Sequence, residues 1–373
     1  MLDPAVREAV ESILKDLEKA YREGDAEAII TFCDNETPFQ RVVDSGLINL
    51  DGLDPEQCSK IKLEYIQNLR DAWVRSSGKD VIANLEIHHI EHGVDESISV
   101  YTTSFNRVTE LEDRTSWHLK SDLDGDWKFH DSSGADGFLG SAWYGMNSTT
   151  IAAAPWTGPI EALDKLLSDL SREDLDGDPW GLVTFADRAL DSSPPPEVAA
   201  MVVQLRAQGF LIADDLEDAL EDLDKVEKLS GLNAVLLEHR ATCHSGIEEY
   251  ALALESLKPL EERFPLDAYM HAIAAACYLL EGQPDMAAYH ANLCLRTYEE
   301  SGIALTTLAL VLNESDFHEI RDYIHATAGP EGSYKLILET ATSWEDRQVV
   351  EWTLTLLKAD FPESELLKTY SKE

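Results

Sequence analysis

Basic residues are scarce in this chain. Its 373 residues include 30 Lys and Arg against 71 Asp and Glu, which gives a formal net charge of −41. Proteins that hold nucleic acid or anionic membrane surfaces use clusters of Lys and Arg against phosphates. The composition therefore excludes both as charge-driven partners. It leaves open a basic protein as the target of an acidic inhibitor or immunity-type protein.

Cysteines and long apolar runs are also few. The five cysteines are odd in number and form no CxxC pair, so neither a disulfide framework nor a zinc site is predicted. No apolar run is long enough to span a membrane, and the N-terminus lacks the pattern of a signal peptide. The chain contains no GxxxxGK[ST], GxGxxG, GxSxG or HExxH motif. We expect a cytoplasmic protein without a metal or a cofactor.

The first part of the chain changes its hydrophobic period. Asp3-Pro4 and Asp54-Pro55 are helix-start signals, and apolar residues at helical spacing follow each of them. From residue 81 onward the period becomes two, which predicts strands at 81–89, 98–108, 114–121 and 127–132. Helices followed by antiparallel strands predict an α+β domain over residues 1–145.

Three stretches of this domain are similar to the SnoaL-like superfamily, which includes ketosteroid isomerases and nuclear transport factors. They are YREGDAEAIITFC at 21–33, SWHLKSD at 116–122 and GDWKFHDSS at 125–133. The resemblance implies a bent antiparallel sheet wrapped on a long helix, which together form a cone with a pocket. It also implies a possible homodimer through the open face of the sheet.

The pocket could be catalytic. Strand alternation places Trp127, Phe129 and Asp131 on one face, with Trp117 on the same side and His89 inward on its own strand. His89 and Asp131 would then be the polar groups of an apolar pocket lined by the three aromatic residues. Such a pair could act as a general base and its orienting group. The competing interpretation is that each is a hydrogen-bonded core residue.

The second part of the chain contains an internal period of 34 residues. Small residues recur at two positions of each unit: Ala207, Ala241, Ala275 and Ala309 at the first, and Ala219, Ala253 and Ala287 at the second. Small residues at fixed positions allow neighbouring helices to approach closely. The pattern resembles the tetratricopeptide family, whose unit is a 34-residue helix–turn–helix. A generic α-solenoid is the alternative.

This resemblance implies a concave groove lined by the first helix of each repeat. The groove positions that we single out are Gln204, Gln208, Glu238, Thr242, Tyr269, Ala272, Leu279, Thr306 and Leu310. Glu238 is the one charged residue among them, and the Lys and Arg with which some family members hold a C-terminal carboxylate are missing. We therefore predict recognition of a partly apolar helix or extended segment.

Together these features predict a cone-shaped α+β domain at 1–145, a linker at 146–159 and an all-α helix–turn–helix solenoid at 160–373. The favoured function is a non-enzymatic interaction scaffold that binds a protein or peptide in the groove. One alternative is a small-molecule binder or enzyme that uses the cone, with the solenoid as a targeting module. The other is the acidic inhibitor. Because the groove positions are nearly neutral, the charge favours solubility over recognition.

Overall fold

The computed structural model of the protein describes residues 3–34, 37–44, 50–76, 83–92, 97–106, 111–121, 127–134, 178–191, 193–194, 196–298, 301–312, 321, 324–325, 329–344 and 346–370. The chain divides into two compact units. Unit 1 comprises Met1–His239 and Glu262–Phe264, and unit 2 comprises Arg240–Glu261 and Pro265–Glu373. The linker expected at 146–159 lies outside the described residues, so the predicted domain boundary stays a prediction.

Unit 1 begins with four helices: α1 (Pro4–Glu23), α2 (Ala26–Phe32), α3 (Thr37–Asp44) and α4 (Pro55–Ser76). The side chain of Asp3 accepts a hydrogen bond from the backbone N–H of Ala5, as expected of an N-cap residue. Helix α1 ends at Gly24, whose φ of 67° is left-handed and suits glycine. Helices α1 and α4 begin at Pro4 and Pro55, which confirms both helix starts predicted from the sequence.

The sheet of unit 1 has four strands: β1 (Ala83–His92), β2 (Ile98–Asn106), β3 (Leu111–Ser121) and β4 (Trp127–Gly134). They lie in the order β1-β2-β3-β4, and every neighbouring pair is antiparallel. The predicted strands and their antiparallel arrangement are therefore confirmed. The cone shape and the SnoaL-like assignment stay predictions.

One face of this sheet packs against α1. The buried residues of the shared core are apolar on both elements: Val10, Leu14, Leu17, Ala20 and Tyr21 from α1, Ile29 from α2, and Ile98, Val100, Trp117, Leu119 and Phe129 from the strands. Strand residues contribute at alternate positions because a pleated strand presents every second side chain to one face. The amphipathic helix α1 supplies the complementary apolar stripe.

Helices follow for the rest of the described chain. Their bounds are α5 (Pro179–Asp191), α6 (Pro196–Ile212), α7 (Leu216–Ser230), α8 (Ala234–Gly246), α9 (Tyr250–Arg263), α10 (Ala268–Leu280), α11 (Pro284–Thr297), α12 (Gly302–Leu312), α13 (Pro330–Ser343), α14 (Arg347–Asp360) and α15 (Glu365–Tyr370). First helices α8, α10 and α12 begin at residues 234, 268 and 302. Second helices α7, α9 and α11 begin at residues 216, 250 and 284. Both series advance by 34 residues, which confirms the predicted helix–turn–helix repeat.

Unit 1 holds a buried ion pair between its helices. Arg206 on α6 donates from Nε and Nη2 to the two carboxylate oxygens of Asp222 on α7, at 2.7 and 2.9 Å, and Nη1 reaches Asp187 at 2.5 Å. These hydrogen bonds, those to Asp222 first, raise the pKa of the guanidinium. The side chain of Asp222 is 2% exposed and that of Asp187 is 55% exposed. The pair with Asp222 is therefore the one shielded from solvent screening.

Unit 2 also contains a buried carboxylate that accepts several hydrogen bonds. Asp360, at the end of α14, accepts hydrogen bonds from Arg321, from His325 Nε2 at 2.8 Å and from the Tyr334 hydroxyl at 2.5 Å. The hydrogen bonds from Arg321 are the largest reason why the pKa of Asp360 is well below its usual range. Hydrogen bonds from these three residues thus hold the end of α14 against α13 and against the residues that precede α13.

We expect Asp222→Ala to lower the free energy of unfolding by about 3–5 kcal/mol, because it leaves the partly buried Arg206 without its main partner. The matched variant Asp187→Ala removes the exposed partner of the same arginine and should cost about 1 kcal/mol or less. Urea denaturation followed by far-ultraviolet circular dichroism checks both. Equal losses of unfolding free energy in the two variants would contradict the greater contribution that we assign to the buried Asp222.

Alanines allow the repeat helices to pack. Ala275 on α10 is fully buried among Ala272, Ala291 and Cys294, whereas Ala251 on α9 is exposed. A larger side chain at the buried position must push the helices apart.

We expect Ala275→Leu to destabilise the protein by about 1–3 kcal/mol through overpacking. Ala251→Leu makes the same change on an exposed helix surface and should alter stability by about 0.5 kcal/mol or less. Urea midpoints of the two variants provide the comparison. A loss of stability in Ala251→Leu as large as that in Ala275→Leu would reject this role for the buried alanine.

Candidate functional site

The aromatic residues expected to line a pocket lie together in the core of unit 1. Trp117 and Phe129 are buried and meet edge to face, with 5.3 Å between their ring centroids, and Trp127 packs on the same cluster. The indole N–H of Trp117 donates to the hydroxyl of Thr102 at 2.9 Å. In the described structure these side chains therefore pack against α1 and its neighbours. A ligand pocket at this place stays a prediction.

His89 lies on the other face of the sheet. The pairing of β1 with β2 shifts between Ile87 and His89, so that both Ile87 and Ile90 pack on the core. His89 instead pairs with Tyr101, and its Nε2 lies 3.6 Å from the Glu91 carboxylate. The expected inward direction of His89 was wrong because a bulge breaks the period-two alternation.

Asp131 follows a second irregularity. The pairing of β3 with β4 shifts between His118 and Leu119, with Asp131 opposite His118 and Phe129 opposite Leu119. The alternation that linked Phe129 to Asp131 therefore does not hold at this point. The side chain of Asp131 lies outside what the structure describes, so the His89–Asp131 pair stays a prediction.

The outer face of the sheet, opposite α1, meets the first helix α8. Arg114 on β3 makes an ion pair with Glu238, the acidic groove position. The Arg114 side chain is 13% exposed and that of Glu238 is 18% exposed. Both residues belong to unit 1. The predicted groove acid is thus held by a cation of the same chain.

In a second contact on this face the sheet supplies the acidic residue and a helix supplies the cation. Arg263 at the end of α9 donates to Glu91 at 3.3 Å, and its guanidinium lies 5.5 Å from the centre of the Tyr101 ring. Tyr101 donates its hydroxyl to the same oxygen of Glu91 at 2.5 Å and meets Phe264 edge to face. Burial, then the Glu91 carboxylate, raise the pKa of Tyr101. The tyrosine therefore remains a neutral donor.

The remaining groove positions of unit 1 differ in exposure. Gln204 on α6 is buried, and its side-chain carbonyl accepts a hydrogen bond from the Asn233 amide at 3.2 Å. Gln208, one turn further along α6, is exposed. Gln204 therefore supports the turn before α8, whereas Gln208 stays accessible.

In unit 2 the groove positions separate by depth. Tyr269 on α10 is 54% exposed. Thr242, Leu279 and Leu310 are half-buried. Ala272 and Thr306 are buried, and the Thr306 hydroxyl has no hydrogen-bond partner among the described residues. The positions with access to solvent are therefore one aromatic, two aliphatic and one hydroxyl side chain, and none of them is charged.

A histidine pair, half-buried His271 on α10 and buried His290 on α11, lies in unit 2. The Nδ1 atoms of His271 and His290 are 3.0 Å apart, so one ring donates and the other accepts. Tyr278 stacks on His290, with 5.2 Å between ring centroids, and Tyr289 meets it edge to face. Burial lowers the pKa of both histidines, and the neighbouring imidazole lowers that of His271 further. The pair is therefore neutral at neutral pH.

Sequence reasoning missed Arg114 and the histidine pair. Arg114 and Glu238 are 124 residues apart, and no local pattern links them. His271 and His290 do have a signal, because they occupy fixed positions on the two helices of one repeat. The 34-residue register could therefore have placed these two histidines on adjoining helices.

The part of the chain that the structure describes was also searched for membrane-spanning helices and for groups of metal ligands. None of the described helices is long and apolar enough to cross a membrane. Nor do the described His, Cys, Asp and Glu side chains form a group of three that could hold a metal ion.

Comparison with known proteins finds that this chain is similar to solved structures of helical-repeat proteins. No protein-family model and no curated protein matches this sequence. A structure of YrrB, described as a TPR protein with an unusual peptide-binding site, is 17% identical and covers 47% of this chain and 92% of its own, with a TM-score of 0.34. The Pseudomonas aeruginosa PilF structure is 20% identical over 58% of this chain and 99% of its own, with a TM-score of 0.38. PilW, a type IV pilus biogenesis factor, is 16% identical over 54% and 94%, with a TM-score of 0.40.

We expect the stability of the protein to fall as pH decreases below the ordinary histidine pKa of about 6.5. The unfolded chain binds protons on His271 and His290 more readily than the folded one, so the stabilising neutral pair is fully present only above that pH. Urea midpoints measured from about pH 7.5 to about pH 5 check this.

The variant His290→Phe keeps an aromatic ring beside Tyr278 but removes one titrating group, so its midpoint should depend less on pH. The matched control is His92→Phe, which replaces an exposed histidine on β1 that lies outside this pair. If His290→Phe and the parent chain lose stability in parallel, the histidine pair is not responsible.

Proposed function

We propose that this chain is a protein-interaction scaffold whose helix–turn–helix repeats bind a partly apolar helix or extended segment of a partner. The observation that carries the proposal is Tyr269, a 54% exposed aromatic residue on first helix α10 of unit 2, where the groove positions Leu279 and Leu310 are half-buried and apolar. Large aromatic side chains supply much of the binding energy at interfaces when a partner covers them.

The geometry of the repeats supports this function. Leu279 lies on α10, the helix of Tyr269, and Leu310 lies on α12, which packs against α10. An amphipathic segment is recognised through apolar anchors at regular spacing, and successive first helices offer such spacing. Neither Tyr269 nor Leu279 is charged, so the interaction should depend weakly on salt.

The experiment is selection of a random short-peptide library, displayed on phage, on the immobilised full-length chain. Selected peptides are then titrated against the parent chain and its variants. Tyr269→Ala should weaken binding by about tenfold or more, because loss of an aromatic anchor costs about 2 kcal/mol. Tyr289→Ala is the matched control, since Tyr289 has the same 54% exposure but lies on a second helix.

Equal effects of the two tyrosine substitutions would refute the groove, and so would failure to recover any peptide that binds the folded chain. The acidic-inhibitor alternative gives a different outcome, namely basic peptides that salt releases. Recovery of such peptides, with no effect of Tyr269→Ala, would replace the scaffold by that alternative.

The cone-pocket alternative has less support, because His89 lies on the face opposite the aromatic core. A SnoaL-like cone, a cytoplasmic location and a homodimer remain sequence-based expectations within this proposal. The outer sheet face, through which the superfamily resemblance implied dimerisation, already meets Glu238 and Phe264 of the same unit. Light scattering that gives a monomeric mass would remove the homodimer.

A further inference from the structure

An aromatic cluster between α10 and α11 of unit 2 includes none of the groove positions. It consists of Tyr278 on α10 with Tyr289 and His290 on α11, and we call it the aromatic corner. We propose that the aromatic corner binds a trimethylammonium group, carried by a small organic cation or by a methylated lysine. This inference goes beyond the scaffold function, because it adds a second binding site of different chemistry.

Two phenol rings form the walls of the aromatic corner. The Tyr278 ring lies nearly parallel to the His290 imidazole, at an interplanar angle of 20°, whereas the Tyr289 ring is nearly perpendicular to it, at 85°. Each phenol centroid is 5.2 Å from the centroid of His290. The two phenol planes therefore stand at a steep angle to one another, as the walls of an aromatic cage do around a rounded cation.

The aromatic corner combines exposed walls with a buried base. Tyr289 is 54% exposed and Tyr278 is half-buried, whereas His290 is only 2% exposed. The hydrogen bond between the Nδ1 atoms of His271 and His290, at 3.0 Å, holds the imidazole against which both phenol rings pack. The walls are thus positioned before a ligand arrives, and this reduces the side-chain ordering that binding would otherwise cost.

The charge beside the aromatic corner favours a cation. Burial, then the exposed Glu261 carboxylate on α9, raise the pKa of Tyr278. The carboxylates of Glu261 and Asp267 also act on His271, where they oppose the lowering of its pKa by burial and by His290. Because burial keeps the two histidines neutral at neutral pH, the imidazoles do not repel a positive ligand.

These groups suit a methylated ammonium better than the primary ammonium of lysine. The lysine ammonium is compact and strongly hydrated, and ring faces replace its hydrogen bonds to water poorly. A trimethylammonium group has no N–H donor, so it gives up no such hydrogen bond on leaving water. Its methyl groups also bury apolar area against the rings while the charge faces their negative surfaces.

The test is proton NMR of three ligands, each titrated with the full-length chain at neutral pH and fixed ionic strength: tetramethylammonium, choline and N-acetyl-trimethyl-lysine amide. We expect dissociation constants of about millimolar order. The methyl resonance should shift upfield, because methyl groups over ring faces experience the ring current. Unmodified N-acetyl-lysine amide should bind about tenfold more weakly. Tighter binding of choline would identify a free cation as the ligand, and tighter binding of trimethyl-lysine a protein side chain.

Substitutions separate the aromatic corner from general attraction by an acidic chain. Tyr289→Leu should weaken binding of tetramethylammonium about fivefold, whereas Tyr289→Phe keeps the ring face and should stay within about twofold of the parent. Glu261→Gln removes the neighbouring carboxylate and should weaken binding about threefold. The matched control is Tyr298→Leu, which removes a tyrosine of similar exposure, 53%, just beyond the end of α11.

Circular dichroism first shows that each variant is folded. Equal affinities of Tyr289→Leu and Tyr298→Leu for tetramethylammonium, or binding without an upfield shift, would overturn the site. Lysine that binds as tightly as trimethyl-lysine would overturn it too. Each of these outcomes leaves the scaffold function intact, because peptides displayed on phage carry no trimethylammonium group. For the same reason Tyr289→Ala remains a suitable control in the peptide titrations.

Discussion

Close approach of helices is the constraint on which the repeat region depends. Ala241 and Ala275 on first helices, and Ala253 and Ala287 on second helices, are fully buried. A methyl side chain at these places lets two backbones come near enough for larger residues around them to fill the space. The 34-residue advance of the helices follows from repeating this arrangement, and so does the row of first helices that we propose as the binding surface.

Because Lys and Arg are scarce in this chain, each arginine that pairs with a buried carboxylate is important to the structure. Asp222 and Glu238 in unit 1, and Asp360 in unit 2, are carboxylates with little exposure, and each is held by an arginine. A buried carboxylate without such a partner is strongly unfavourable. In a chain with a net charge of −41, most acidic residues must instead stay in water, where they favour solubility more than structure.

Breaks in strand regularity decide what the sheet presents to each side. The bulge before His89 moves that residue from the expected inner face to the outer one, beside Tyr101. The outer face thereby gathers hydrogen-bonding groups, and the inner face keeps an aromatic and aliphatic core. The shift between His118 and Leu119 interrupts β3 and β4 in the same manner. Beyond either irregularity, strand alternation alone therefore does not give the face on which a residue lies.

The sequence by itself determined the helix starts, the four strands and the 34-residue repeat, because capping, alternation and spacing are local or periodic. Asp3, Gly24 and the buried alanines each act through neighbours at fixed distance along the chain. Only the tertiary structure decided the face of His89, since one extra residue in a strand leaves no clear mark in composition. It also decided that Arg114 meets Glu238, because an ion pair between residues 124 positions apart depends on how distant elements pack rather than on any local pattern.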